Sequence, residues 1–213
     1  MGIELDHFLV IVEPGAPEAN RLTDIGLVEG TSNDHPGQGT ANRRFFFSNW
    51  GLELAYIRDA EEALNGKASG LRIAERAADH NASPFGLIVH RTSDDARDPF
   101  PGWHYYPEYF SEDKYFLVGV NSDVLEEPLC ICMPIMAAAR PVQPPQAESF
   151  ERVTEIIIGV PVDQPSDVLQ TFAECDGVSL RIGEPHCMEI VFKDAEQGRS
   201  KNLKPDLPLI IRW

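Results

Sequence analysis

The sequence predicts an α+β protein made of two βαβββ modules with a strand-containing insertion between them. Three observations carry that prediction. An apolar strand, a helix and three further strands follow one another within residues 1–58, the same order recurs in residues 151–213, and the helix of each copy stops at a glycine, Gly26 and Gly177, at matching points.

In the first module, residues 3–12 are apolar on both faces, and Pro14 and Gly15 end the run too soon for a helix, so it reads as a buried strand. Residues 16–25 place Ala16, Ala19, Leu22 and Ile25 at helical spacing before Gly26, a C-capping residue. Residues 27–31, 43–48 and 52–58 read as three strands, with a glycine-rich loop running from His35 to the start of the second.

In the second module, residues 153–161 are a strand, residues 166–176 a helix with Ser166 as N-cap, and residues 178–182, 187–193 and 207–213 three strands. Leu5-Asp6-His7-Phe8 aligns with Val153-Thr154-Glu155-Ile156. Between the modules, residues 59–150 hold a helical stretch at 59–80, interrupted around Gly66 and Gly70, and strands at 84–90, 115–120 and 129–134. An aromatic loop, 99–107, suits either a pocket wall or a plug at the end of a sheet core. A linker at 137–148 follows, where Pro141, Pro144 and Pro145 exclude helix and sheet. The three segments are expected to form one compact unit.

Composition narrows the function. The chain has 213 residues, 43% of them hydrophobic, which suffices for a core without staples. A formal charge of -16 repels phosphate backbones and anionic membranes, so nucleic acid and membrane surfaces are not expected partners. No run approaches the ~20 apolar residues of a membrane span, and the N-terminus lacks the basic and apolar segments of a signal peptide. A cytoplasmic protein is expected. The four cysteines have no metal-site spacing; Cys130 and Cys132 fall on one face of a strand and read as small core residues.

Two ionisable residues break apolar strands, His7 in Leu5-Asp6-His7-Phe8-Leu9 and Glu53 in Leu52-Glu53-Leu54. A buried carboxylate costs several kcal/mol unless a cation or donor meets it, so Glu53 needs a metal, an arginine or a ligand. Arg43 or Arg44 on the neighbouring strand is one such partner, and either suits a substrate carboxylate. The loop His35-Pro36-Gly37-Gln38-Gly39-Thr40-Ala41-Asn42 is able to offer backbone N–H groups to an anion, but lacks the Lys-Ser/Thr ending of a phosphate loop. Its His35, Gln38 and Asn42 are candidate polar contacts to a small molecule.

Two βαβββ modules, with His7 in the first strand and Glu53 in the fourth, resemble the vicinal oxygen chelate superfamily, which includes glyoxalase I, extradiol dioxygenases and bleomycin-resistance binding proteins. The stretch from His35 to Arg43, followed by Leu52-Glu53-Leu54, looks like the glyoxalase-like branch. The resemblance implies paired modules forming a cupped mixed sheet, with ligands projecting inward from the first and fourth strands of each. It implies a divalent metal (Zn, Ni, Mn, Fe or Mg) on His7 and Glu53, with Glu155 at the position of His7 in the second module. Pro208 stands where the fourth ligand would be, and His35 and His90 are possible replacements.

On that reading the chain is a lyase or isomerase that binds vicinal oxygens of a small substrate. Glu53 or Glu155 moves the proton, and His35, Gln38, Asn42, Arg43 and Trp103 line the substrate. The alternative is a metal-free binding protein whose aromatic walls, Trp103 or Tyr105, hold an apolar or cationic ligand. Pairing of two copies, a homodimer, is a further expectation of the resemblance.

Overall fold

A computed structural model describes residues 2–92, 97–111, 114–134 and 143–213. It is α+β, with two sheets. The larger has the order β2-β3-β4-β1-β5-β8-β7-β6. Its strands are β1 (Ile3–Ile11), β2 (Asn33–His35), β3 (Thr40–Phe46), β4 (Gly51–Ile57), β5 (Phe85–Arg91), β6 (Gly102–Tyr105), β7 (Phe116–Gly119) and β8 (Leu129–Met133). The smaller has the order β10-β9-β11-β13-β12, from β9 (Val153–Val160), β10 (Val178–Ile182), β11 (Cys187–Phe192), β12 (Ser200–Asn202) and β13 (Leu209–Arg212). Helices α1 (Ala19–Asp24), α2 (Ala60–Asn65), α3 (Ile73–Ala78) and α4 (Asp167–Ala173) complete the described elements, with short 3-10 turns.

The α+β class and the cupped sheet agree with the sequence reading, but the partner of the first module differs. β1 pairs with β5, antiparallel, and β5 continues in parallel to β8. The segment read as an insertion therefore supplies half of the larger sheet. The C-terminal unit forms the second sheet instead, whose central strands repeat the same scheme: β9 pairs antiparallel with β11, and each takes a parallel outer neighbour, β10 and β13. Both central pairs carry a register shift, at Leu5/His7 in one and Val191/Phe192 in the other. Asp6 and Thr154 are the extra residues at these two shifts, which agrees with the alignment of Leu5-Asp6-His7 with Val153-Thr154-Glu155.

β1 is apolar on both faces because a core lies on each side of it. Leu5, Phe8 and Val10 join Leu52, Leu54, Phe85 and Leu87 against α1, α4 and the second sheet's Ile156, Ile158, Met188 and Ile190. Leu9 and Ile11 join Ala55, Ile88, Val118, Tyr105 and Ile131 beneath Ala68, Leu71 and Ile73 of the α2–α3 segment. Each fully buried large side chain, such as Phe8, Phe45, Phe172 or Phe192, contributes roughly 1.5–3 kcal/mol. Cys130, Cys132 and Cys175 are free and buried in the first core, as small hydrophobes.

Residues 27–31 do not form the predicted strand. Their backbone is met by side chains: Gln146 accepts from Val28 N (2.8 Å) and donates to Val28 O (2.6 Å), and Gln143 accepts from Thr31 N (3.1 Å). What remains there is an isolated bridge, Glu29 to Phe45, while β2 lies further on. The linker lies partly outside the described residues. The aromatic loop is an edge strand, β6, flanked by Phe100, which packs 5.2 Å from Phe172, so it plugs the core. Ser166 caps α4 as predicted, accepting from Leu169 N, and it also donates through N and Oγ to the buried Glu127 (2.6 Å each).

Candidate functional site

The parallel pairing of β1 and β4 sets Leu9 opposite Glu53 and His7 opposite Gly51. His7 and Glu53 thus lie on the face that holds Leu9 and Ala55, diagonal to each other, with His7 Nε2 3.9 Å from Glu53 Oε1. On the other side of β4, the antiparallel register puts Arg44 opposite Glu53, and Arg44 Nη1 is also 3.9 Å from Oε1. Neither separation is a hydrogen bond. Glu53 Oε1 is thus separated from both His7 Nε2 and Arg44 Nη1 by a gap that one oxygen atom would bridge. Arg44 is held in place by Nε donating to Thr31 O (2.7 Å), Nη2 reaching Thr31 Oγ1 (3.3 Å) and the Phe46 ring 5.0 Å beneath its guanidinium. Only Nη1 is left to the gap, so Arg44 meets a single oxygen there and not the two of a carboxylate.

His35, at the end of β2, enters the same electrostatic environment. Burial lowers its pKa; Glu53 opposes that shift, and Arg44 and His7 add to it. Burial likewise lowers the pKa of His7, with Glu53 opposing and Arg44 adding. Around them, His35 Nδ1 is 3.0 Å from Thr40 Oγ1, Gln38 Nε2 donates to the Tyr109 hydroxyl (3.0 Å), and the Tyr109 ring stands 6.1 Å from that of His35. Asn42, 1% exposed on the same face of β3, accepts from Asn33 N (2.8 Å) through Oδ1, while its buried Nδ2 has no partner among the described residues. Of the two arginines offered by the sequence, Arg44 is the one that strand register brings to Glu53, whereas Tyr109 goes beyond the sequence candidates and is revealed only by the close approach of a distant loop.

A stability test follows from these partly buried imidazoles, with His186 as a third whose pKa burial also lowers. Each takes up its proton at lower pH in the fold than in the unfolded chain, where the ordinary value is about 6.5. Their contribution is complete above that value and is lost as pH falls through the lowered folded values. Urea midpoints are expected to drop between about pH 7.5 and pH 5.5, less steeply in His35→Gln. A midpoint flat across that window would contradict this.

Other candidates lie elsewhere. Arg43 points to the opposite face, where it holds Glu29 through both oxygens (2.7 and 2.6 Å) and bonds Ala16 O, because neighbouring strand residues alternate. Trp103 packs in the second core against Gly70, where a Cβ would lie 2.9 Å from its ring. Glu155 belongs to the second sheet and accepts from Ser179 Oγ (2.7 Å). Ser179, opposite Ile157 on the parallel neighbour β10, holds the position of Glu53, in place of the expected Pro208. The loop's anion is internal: Gly37 N and Gly39 N, both at positive φ, donate to Glu62 of α2 (2.9 and 2.7 Å). His90 lies 3.6 Å from Asp6 Oδ2, and His104 pairs with Asp98.

The donor set does not fit a resident divalent ion. His7 and Glu53 are two donors, the guanidinium of Arg44 already attends the same carboxylate oxygen, and the positions facing them on β5 and β8 are Ile88, Ile131 and Met133. Among the described residues no group of three or more His, Cys, Asp or Glu side chains is set to hold a metal ion. The expected ligand set of His7, Glu53 and Glu155 is split between two sheets.

No protein-family model and no curated protein matches the sequence. Solved structures match the fold. A hypothetical protein from Staphylococcus aureus is 12% identical with a TM-score of 0.54, over 100% of this chain and 98% of that one. A hypothetical protein from Bacillus halodurans C-125 is 12% identical with a TM-score of 0.45, over 66% of this chain and 100% of its own. A methylmalonyl-CoA epimerase from Mycobacterium tuberculosis is 12% identical with a TM-score of 0.43, over 62% of this chain and 88% of its own. The chain thus shares the fold of the staphylococcal protein along its whole length, both sheets included.

Proposed function

We propose that the chain is a small-molecule enzyme of the vicinal oxygen chelate, glyoxalase-like type, a lyase or isomerase acting on compounds with neighbouring carbonyl and hydroxyl oxygens. The observation that carries this reading is the gap shared by Glu53 Oε1, His7 Nε2 and Arg44 Nη1. It offers two bases and one fixed cation around the volume of a single oxygen. In an isomerisation, the Glu53 carboxylate takes the proton from the carbon beside the carbonyl and returns it to the neighbouring carbon. His7 Nε2 takes the hydroxyl proton and delivers it to the former carbonyl oxygen, and Arg44 Nη1 faces the negative charge that develops between these transfers. Protons balance, and none is left on the enzyme.

The formal charge of -16 supports a small molecule and not nucleic acid or a membrane surface as partner. Among the described residues no helix is long and apolar enough to cross a membrane. Action in the cytoplasm and as a homodimer completes the proposal.

The test is a panel of small hydroxy-carbonyl and dicarbonyl compounds incubated with the protein in heavy water and followed by proton NMR. At least one is expected to exchange its carbon-bound proton or isomerise, with and without a chelator, and to stop in the His7→Ala, Glu53→Gln double variant. Exchange that persists in the variant, or that vanishes with chelator and returns with added metal, would overturn the reading. Saturable binding without any exchange would favour the alternative of a binding protein, for which the half-exposed Tyr109 ring beside His35 is the supporting observation.

A further inference from the structure

We propose that Asp6 is a positioning residue, which a β-bulge sets beside His7 to fix the imidazole as the Nδ1–H tautomer and turn its Nε2 lone pair toward Glu53. The significance of this for turnover rests on the function proposed above, whereas the tautomer itself does not.

Neighbouring residues of a regular strand point to opposite faces, so an acid at one position does not reach an imidazole at the next. In β1 the register passes from Leu5 opposite Val89 to His7 opposite Ile88, which makes Asp6 the extra residue of a β-bulge. The extra residue bends the strand, and Asp6 Oδ1 comes to 2.7 Å from His7 Nδ1. Asp6 is only 6% exposed, so its carboxylate has to be met by donors. A carboxylate accepts only, so the proton of this hydrogen bond sits on Nδ1. The Nε2 lone pair then remains for the gap at Glu53 Oε1. A second imidazole, His90, stands 3.6 Å from Asp6 Oδ2.

The second sheet provides an internal comparison. Its bulge leaves Thr154 at the place of Asp6, and the Thr154 hydroxyl returns to the backbone, donating to Val191 O (3.3 Å). The bulge is therefore common to both sheets, and the acid beside an imidazole is particular to β1.

Nitrogen NMR of the histidine rings near pH 8, where free imidazole is neutral, tests this on the whole chain. The His7 signals are identified by their loss in His7→Gln. The wild type is expected to show Nδ1 protonated and Nε2 bare, the reverse of the preference of free imidazole. In Asp6→Ala the assignment is expected to switch to Nε2–H. A wild-type His7 with its proton on Nε2 would overturn the proposal, and so would an Nδ1–H tautomer unchanged in Asp6→Ala. The wild-type spectrum alone decides the first point, even if the variant folds poorly. Where the panel has revealed a substrate, Asp6→Ala is expected to lower kcat by roughly 10–100-fold with KM little changed. An inactive panel together with the Nδ1–H tautomer would remove the proposed function and leave the positioning role standing.

Discussion

Arg76→Met is expected to destabilise the protein by about 3–5 kcal/mol, at roughly 2–4 °C in Tm per kcal/mol for a chain of this size. Arg76 lies on α3, is 3% exposed, and burial brings its pKa from 12.5 down to about 10, so it remains charged at neutral pH. Its compensation is a set of carbonyls and not a carboxylate. Nη1 donates to Glu127 O (2.6 Å), Leu125 O (3.0 Å) and Ser83 O (3.3 Å), and Nη2 to Ser122 O (3.4 Å) and Val124 O (3.5 Å). The Glu127 carboxylate is committed elsewhere, to Ser166 and Asn121. Methionine fills similar volume but leaves these buried oxygens without donors, each worth about 1–3 kcal/mol. Thermal unfolding by circular dichroism checks this; a Tm within a few degrees of wild type would contradict it.

The second large effect concerns the gap on the larger sheet. Glu53→Gln is expected to cut turnover by about 10²–10⁴-fold, because the amide keeps the shape of the carboxylate and loses its basicity. The fold is expected to tolerate the change. Among the described residues Glu53 is met by His7 and Arg44 at 3.9 Å and by no shorter bond, so little stability depends on its charge. Glu53→Asp withdraws the carboxylate by one methylene while keeping its charge, and is expected to fall between the two. Equal rates for wild type and Glu53→Gln would exclude the carboxylate as the base, and a large fall in Tm for Glu53→Gln would mark it as structural.

Much of the fold was legible where a single periodicity decided it. β1, β4, β5, β9 and α4 lie close to the limits read from the apolar pattern and the Ser166 cap, and the split helical stretch became α2 and α3 around its glycines. The failures share a cause, long-range pairing. Nothing local says that Phe85–Arg91 and not Val153–Val160 lies beside β1, since both are apolar strands of similar length. The 27–31 segment looks like a strand and is satisfied by two glutamines more than a hundred residues away. In the site, His7 and Glu53 converge as the interrupted strands suggested, and Arg44 rather than Arg43 attends them because of alternation. Glu155 shared the motif but not the sheet, and Asp6 gained its place from a bulge that the sequence does not announce.

The sheets share one interior, from Phe8 and Leu54 on one side to Ile156 and Phe192 on the other, and Glu127 ties the loop before β8 to the first turn of α4. Parting them would expose that hydrocarbon to water, so the protein has no inexpensive hinge between its halves. Under the proposed function, passage of small molecules to and from the gap falls to the outer connections of the larger sheet, above all the turn between β2 and β3 and the stretch bearing Tyr109. Exchange rates of amides in those two segments, and not in the strands beneath, are where traffic should leave its mark.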